Sequence, residues 1–149
     1  MPTRRGGARR SGVEKRDWLL LFLRARPLDR LRLMQGLFLL WHRSGRTIEG
    51  FFEFVPYLYG PCSFALYTAL EAAHRERLVT QAPHPVARGA AYFLTAQGAQ
   101  RAACTAATVD PRLLQLIRSL AAAVASTGCY ALLHRVSTEA PDFASVRPH

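Results

Sequence analysis

The sequence predicts a mainly α-helical single domain with a small β-hairpin, arranged like a winged helix-turn-helix. Three observations predict it. Across 28–44, Leu31, Met34, Phe38 and Trp41 make one apolar stripe at helical spacing, and Leu33, Leu37 and Leu40 make a second beside it. The stretch Phe51-Phe52-Glu53-Phe54-Val55-Pro56-Tyr57-Leu58-Tyr59-Gly60-Pro61-Cys62-Ser63 is an aromatic, extended run that stops at a proline-bounded turn, and a helical pattern with Phe64, Tyr67 and Leu70 follows at once. After that helix, Leu78-Val79 and Ala91-Tyr92-Phe93-Leu94 flank a Pro/Gly loop at 82–89, the pattern of a two-stranded hairpin.

Taken in order, residues 1–16 form a basic arm, disordered over the Gly/Arg-rich 1–12, and 17–149 form the winged-helix-like domain with its C-terminal helices. A short helix over 17–26 is stopped by Pro27. The helix at 28–44 is apolar over so much of its girth that it is central, and Gly36 within it predicts a neighbouring helix packed close. Pro56, Gly60 and Pro61 make a structural turn. Gly60 takes a backbone conformation that a larger residue would strain, and Pro61 starts or precedes the third helix, 63–77. Past the hairpin, 95–107 is a small-residue helix. Asp110-Pro111 caps and starts the next, whose face carries Leu113, Leu114, Ile117, Leu120 and Val124. Gly128 breaks that helix, and 130–138 makes a last one before Pro141.

A chain of 149 residues, half of them hydrophobic, buries a sizeable core in one unit. Its net charge of +10 is uneven. Arg4, Arg5, Arg9, Arg10, Lys15 and Arg16 against Glu14 supply half of it, so the arm is strongly basic and the body mildly so. Every basic residue except Lys15 is arginine. The apolar run Trp18-Leu19-Leu20-Leu21-Phe22-Leu23 is shorter than a signal-peptide core, and no run approaches the roughly 20 residues that span a bilayer. A cytoplasmic protein without a membrane partner is expected. Cys62, Cys104 and Cys129, odd in number and widely spaced, read as reduced packing residues.

Catalytic chemistry finds no foothold in the pattern. None of His42, His74, His84, His134 and His149 stands at metal-ligand spacing with a cysteine. The near pair Glu71/Glu76 is off helical register, Glu49/Glu53 lies among aromatics without a nucleophile, and there is no phosphate loop or dinucleotide fingerprint. The expectation is a protein that is not an enzyme and carries no cofactor or metal.

Leu31-Arg32-Leu33-Met34-Gln35-Gly36-Leu37-Phe38-Leu39-Leu40, then Pro56-Tyr57-Leu58-Tyr59-Gly60-Pro61-Cys62-Ser63 with Leu66-Tyr67, then Tyr92-Phe93-Leu94-Thr95, resemble successive blocks of the Panacea-type, antitoxin-associated bacterial domains. The likeness runs from about Trp18 to His149 and closes with a block at 132–145; Gly36 departs from it, standing where relatives carry a basic or larger residue. The resemblance implies a domain that neutralises a cognate toxin through protein contacts, without chemistry of its own.

Two functional readings follow. In the first, the chain is a non-catalytic interaction module that holds a protein partner, a cognate toxin by the resemblance, on Phe52, Tyr57, Tyr59 and Tyr67. Phe51, Phe52, Phe54, Tyr57 and Tyr59 are too many aromatics for an alternating segment to bury, and aromatics at a rigid turn anchor interfaces. In the second, it is a winged-helix DNA-binding regulator that uses Arg4, Arg5, Arg9 and Arg10 of the arm, Arg75 and Arg77 of the helix, and Arg88 of the wing. The presented helix weakens the second reading. Its arginines are balanced by Glu71 and Glu76, it has no Asn or Gln to read adenine, and its arginines lie at its C-terminal end.

Overall fold

The computed structural model describes residues 13–83 and 90–145. Helix α1 spans Lys15–Ala25 and α2 Arg30–Arg43; strands β1 (Val55–Tyr57) and β2 (Gly60–Cys62) precede α3 (Phe64–Arg75). Strands β3 (Val79–Pro83) and β4 (Ala90–Leu94) then lead into α4 (Ala96–Ala106), α5 (Pro111–Ala125), α6 (Cys129–Glu139) and a 3₁₀ turn, Pro141–Phe143. The described chain is thus mainly helical with two small antiparallel hairpins, one more than the sequence predicts. The arm's Arg4, Arg5, Arg9 and Arg10, and Arg88 in the hairpin loop, lie outside the described residues.

Helix α1 starts at Lys15 rather than Asp17, which moves Lys15 and Arg16 from the arm into the fold. Glu14 and Asp17 close a reciprocal capping box at this end, so the start is fixed by local hydrogen bonding. Every residue from Asp17 to Leu23 is buried. A run of apolar residues covers all faces of a helix, and α1 accordingly packs on α2, α3, α4 and α5. It shares the centre with α2, the helix that the sequence predicts to be central. The buried Asp17 carboxylate accepts from Arg101 Nε at 2.8 Å and from Thr105 Oγ1 at 3.4 Å, tying α1 to α4.

In α2, Asp29 caps the Arg32 N–H at 2.8 Å, and the same Arg32 reaches across to donate from Nε to the Val124 carbonyl and from Nη2 to the Thr127 carbonyl, both at 3.0 Å. A cation there sits on carbonyls at the C-terminal end of α5, where the helix dipole favours positive charge. At Gly36 a Cβ would sit 2.8 Å from Phe22 Cε1, the close helix approach that the sequence predicts. Arg43 and Glu139 pair at 2.8 Å between α2 and α6, and the hydrogen bond to Arg43 holds the Glu139 carboxyl below its ordinary range.

The predicted hairpin is β3–β4, with Val79 opposite Leu94 and Thr80 opposite Phe93. Tyr92 N–H also donates to the Leu28 carbonyl at 2.9 Å, fastening β4 to the α1–α2 connection. Thr95 caps α4 through the Gly98 N–H at 3.0 Å, and Asp110 with Pro111 opens α5 as expected. Of the three cysteines only Cys62 is buried; Cys104 and Cys129 are exposed on helix surfaces and are not packing residues.

Candidate partner-binding site

The unpredicted hairpin β1–β2 builds the site. Pro56 lies opposite Pro61, flanked by Val55 opposite Cys62 and Tyr57 opposite Gly60. Neither proline has an N–H to give. Their pair therefore occupies a non-hydrogen-bonded position of the ladder, and its neighbours carry the bonds. Leu58 and Tyr59 form the tip. Gly60 has φ of +121°, a conformation closed to side chains, although a Cβ there would meet only Leu133 and the Phe143 carbonyl at an ordinary 3.9 Å. Space is available at Gly60 and backbone freedom is what it needs. Gly60→Val is expected to cost about 1–3 kcal/mol through backbone strain. A thermal melt overlaying wild type would remove the turn from the fold's requirements.

The hairpin is held at both ends. Gln35 Nε2 of α2 donates to the Pro61 carbonyl at 3.3 Å, and Ser63 N–H donates to Met34 Sδ at 3.3 Å, which sets the direction in which α3 leaves. From the other side, Ser145 Oγ donates to the Leu58 carbonyl.

The aromatic segment divides sharply at Val55. Phe51, Phe52 and Phe54 are all buried, because 51–54 is not a strand and does not alternate. Phe52, placed by the sequence on the binding surface, is only 2% exposed and belongs to the core; its ring meets Phe51 edge-on at 5.3 Å. Beyond Val55 the pattern inverts. Tyr57 is 43% exposed, Tyr59 57% and Tyr67 40%, and Val55, Leu58 and Phe64 are exposed beside them. Rings connect the two elements: Tyr57 meets Phe64 edge-on at 5.3 Å, and Phe64 lies 6.4 Å from Tyr67. Arg30 at the start of α2 sits 5.4 Å over the Tyr67 ring. Sequence reasoning found the tyrosines and missed Phe64 at the start of α3, and also Val55 and Leu58, which a strand-turn-strand reading of 55–62 would have exposed.

Behind the tyrosines lies a cavity of about 180 Å³ between α2 and the hairpin. Met34, Gln35 and Cys62, all buried, lie on its inner side, and Tyr57, Tyr59 and Tyr67 stand at its rim. The Cys62 thiol faces the Tyr67 phenol at 4.0 Å. Burial pushes both groups up from their ordinary values, so the pair is neutral at pH 7 and the thiol is no nucleophile. Among the described residues no group of His, Cys, Asp and Glu is placed to hold a metal ion.

Arg75 and Arg77 are exposed, but at the other end of α3. The helix runs Phe64–Arg75, so its N-terminal aromatics and C-terminal arginines are separated by about 16 Å. Glu76 beside them is occupied by Arg16. The structure thus brings Tyr57, Tyr59 and Tyr67 together and leaves the arginines apart from them. No helix among the described residues is long and apolar enough to cross a membrane. The chain matches no protein-family model, no curated protein and no solved structure.

Proposed function

We propose that this protein is a non-catalytic, antitoxin-like bacterial interaction module that captures a protein partner on the β1–β2 tip and the first turns of α3. One observation carries the reading. Apart from Tyr130, every exposed large hydrophobic side chain among the described residues falls between Val55 and Tyr67, on the β1–β2 hairpin with its two prolines and the first turn of α3. A contiguous apolar patch on a stiff support marks an interaction surface, and tyrosines anchor such surfaces with little conformational entropy to lose. The resemblance to Panacea-type domains supplies the class of partner, a toxin; the short apolar run at 18–23 supplies our reading of a cytoplasmic setting. We read α2, α3 and β3–β4 as winged-helix-like, with α3 as the presented helix. At the end of that helix where side chains of a DNA reader meet base edges stand Phe64 and Tyr67, which favours protein over nucleic acid.

Co-expression with the product of the neighbouring gene, followed by affinity measurement on the purified pair, tests this. Tyr57→Ala and Tyr59→Ala are each expected to weaken capture at least tenfold, from loss of about 1.4–2 kcal/mol at an interface anchor, while unfolding shifts by less than about 0.5 kcal/mol. Deletion of residues 1–12 is expected to leave capture intact. Nanomolar, sequence-dependent duplex binding that survives this deletion would instead assign the function to Arg75, Arg77 and the hairpin.

A further inference from the structure

Arginines bridge elements of this fold by ending on carboxylates: Arg16 on Glu76, Arg43 on Glu139, Arg46 on Asp142 and Arg101 on Asp17. The groove between α1 and α5 breaks that pattern. Its volume is about 350 Å³, and it is lined by Leu21, Arg24 and Ala25 of α1 and by Leu114, Ile117 and Arg118 of α5. Each helix contributes positions i, i+3 and i+4, a face with two apolar side chains and one guanidinium. Both arginines are exposed, and neither enters an ion pair among the described residues. Arg118 Nη2 donates to the Gln115 amide oxygen at 2.9 Å, a neutral acceptor.

No neighbouring element supplies the opposite charge. The sequence has no Asp or Glu from 18 to 28 or from 111 to 138, and these stretches hold all six lining residues. Asp17 is buried and taken by Arg101, Asp29 is taken by Arg32, and Asp110 caps α5. The groove of about 390 Å³ beside α3 differs, since Glu71 lines it together with Arg30. Two like charges brought to one groove repel, and an anion between them removes the repulsion.

The rest of the groove identifies the anion. Its walls are aliphatic, with no aromatic ring among the six residues. Nucleic-acid surfaces pair their cations with rings on which bases stack, so they are a poor match. Guanidinium forks fit a carboxylate with parallel bonds. Leu21 and Ile117, each 2% exposed, form the floor, whereas Ala25 and Leu114 are half-buried and can be touched from outside. Leu113 and Leu116 are also only partly buried, so the first half of α5 leaves apolar surface open beside the cations. A groove this open does not enclose a small molecule, because such sites cover most of their ligand. An aliphatic side chain with a carboxylate beside it, carried on a larger surface, suits it. The net charge of +10 favours encounter with a partner of that sign.

We infer that the α1–α5 groove docks an acidic, aliphatic segment of a polypeptide partner. A Glu or Asp carboxylate lies between Arg24 and Arg118, and a neighbouring Leu or Ile covers Ala25 and Leu114. The groove shares no residue with the β1–β2 tip and is a second contact surface with its own chemistry.

The probes are acetyl-leucyl-glutamate N-methylamide and its glutamine counterpart, which differ only in charge. Titration of ¹⁵N-labelled protein follows the Arg24 and Arg118 Nε–H signals and the Leu114 amide. All three are expected to shift saturably, and the glutamate probe is expected to bind at least about fivefold more tightly at low salt, the factor for two exposed ion pairs. The preference is expected to shrink at about 0.5 M salt, where exposed charges are screened. Arg24→Gln combined with Arg118→Gln is expected to equalise the two probes; should that variant fail to fold, the comparison in the unmodified protein decides. Equal binding of both probes would overturn the inference, as would the absence of saturable shifts at millimolar probe. Inorganic phosphate that moves the two arginine signals at lower concentration than the glutamate probe would overturn it too, by making the pair a general anion site. Tyr57→Ala and Tyr59→Ala are expected to leave these titrations unchanged. Failure here therefore leaves capture at the tip standing, and failure of that capture leaves the groove standing.

Discussion

Gly98→Ala is expected to destabilise the protein strongly. A Cβ at this position would lie 1.9 Å from the Leu78 carbonyl oxygen and 2.9 Å from its carbon. The obstacle is backbone, so no flexible side chain can swing aside. That carbonyl is also committed, accepting from Thr95 N–H at 3.1 Å and Thr95 Oγ1 at 3.2 Å. Relief requires α4 to lift off the α3–β3 junction, and α4 carries Arg101, the partner of the buried Asp17. The expected cost is at least about 3 kcal/mol, the upper end of what overpacking does, against a total stability of about 5–15 kcal/mol. Urea denaturation followed by helical circular dichroism measures it. A midpoint within error of wild type would mean that α4 does not approach Leu78 this closely.

Phe38→Ala is the second large effect. Phe38 is fully buried, and its ring lies 5.3 Å from Phe54, 5.0 Å from Phe143 and 5.9 Å from Trp41. It therefore joins α2 to the segment that leads into β1 and to the C-terminal 3₁₀ turn. Truncation removes the area and the ring contacts together, for about 3–5 kcal/mol. Phe38→Leu, which fills much of the space, is expected to recover more than half. Denaturant titration with Trp41 fluorescence as one readout follows both variants. A loss under about 1 kcal/mol for the alanine variant would show that the aromatic cluster is not what holds the C-terminal turn.

These two positions mark where the sequence speaks and where it is silent. Signals carried within a few residues were legible. Asp110-Pro111, Thr95 and Gly128 place their helix boundaries because capping is local, and the pairing of Val79 with Leu94 follows from two apolar runs around a turn. The β1–β2 hairpin was not legible. Proline normally argues against a ladder, and it is tolerable here because Pro56 and Pro61 share a non-hydrogen-bonded position, where neither N–H would face the other strand. Burial of Phe52 depends on 51–54 being irregular, which no periodicity announces. Gly98 sits in a run of small residues where nothing in the sequence distinguishes it; its role comes from Leu78, a contact between distant segments. Gln35 is a lone amide amid Leu33, Met34, Leu37 and Phe38, and its partner, the Pro61 carbonyl, lies on a distant segment that no local pattern announces.

The hydrogen bond from Ser145 to the Leu58 carbonyl bears on how the protein can be handled. An affinity tag attached just past Ser145 therefore starts close to the Leu58–Tyr59 tip. Its own aromatic or histidine side chains would compete for the tyrosines, and immobilisation through it would turn the tip toward the resin. A bait tethered that way is biased toward failure for reasons of attachment alone.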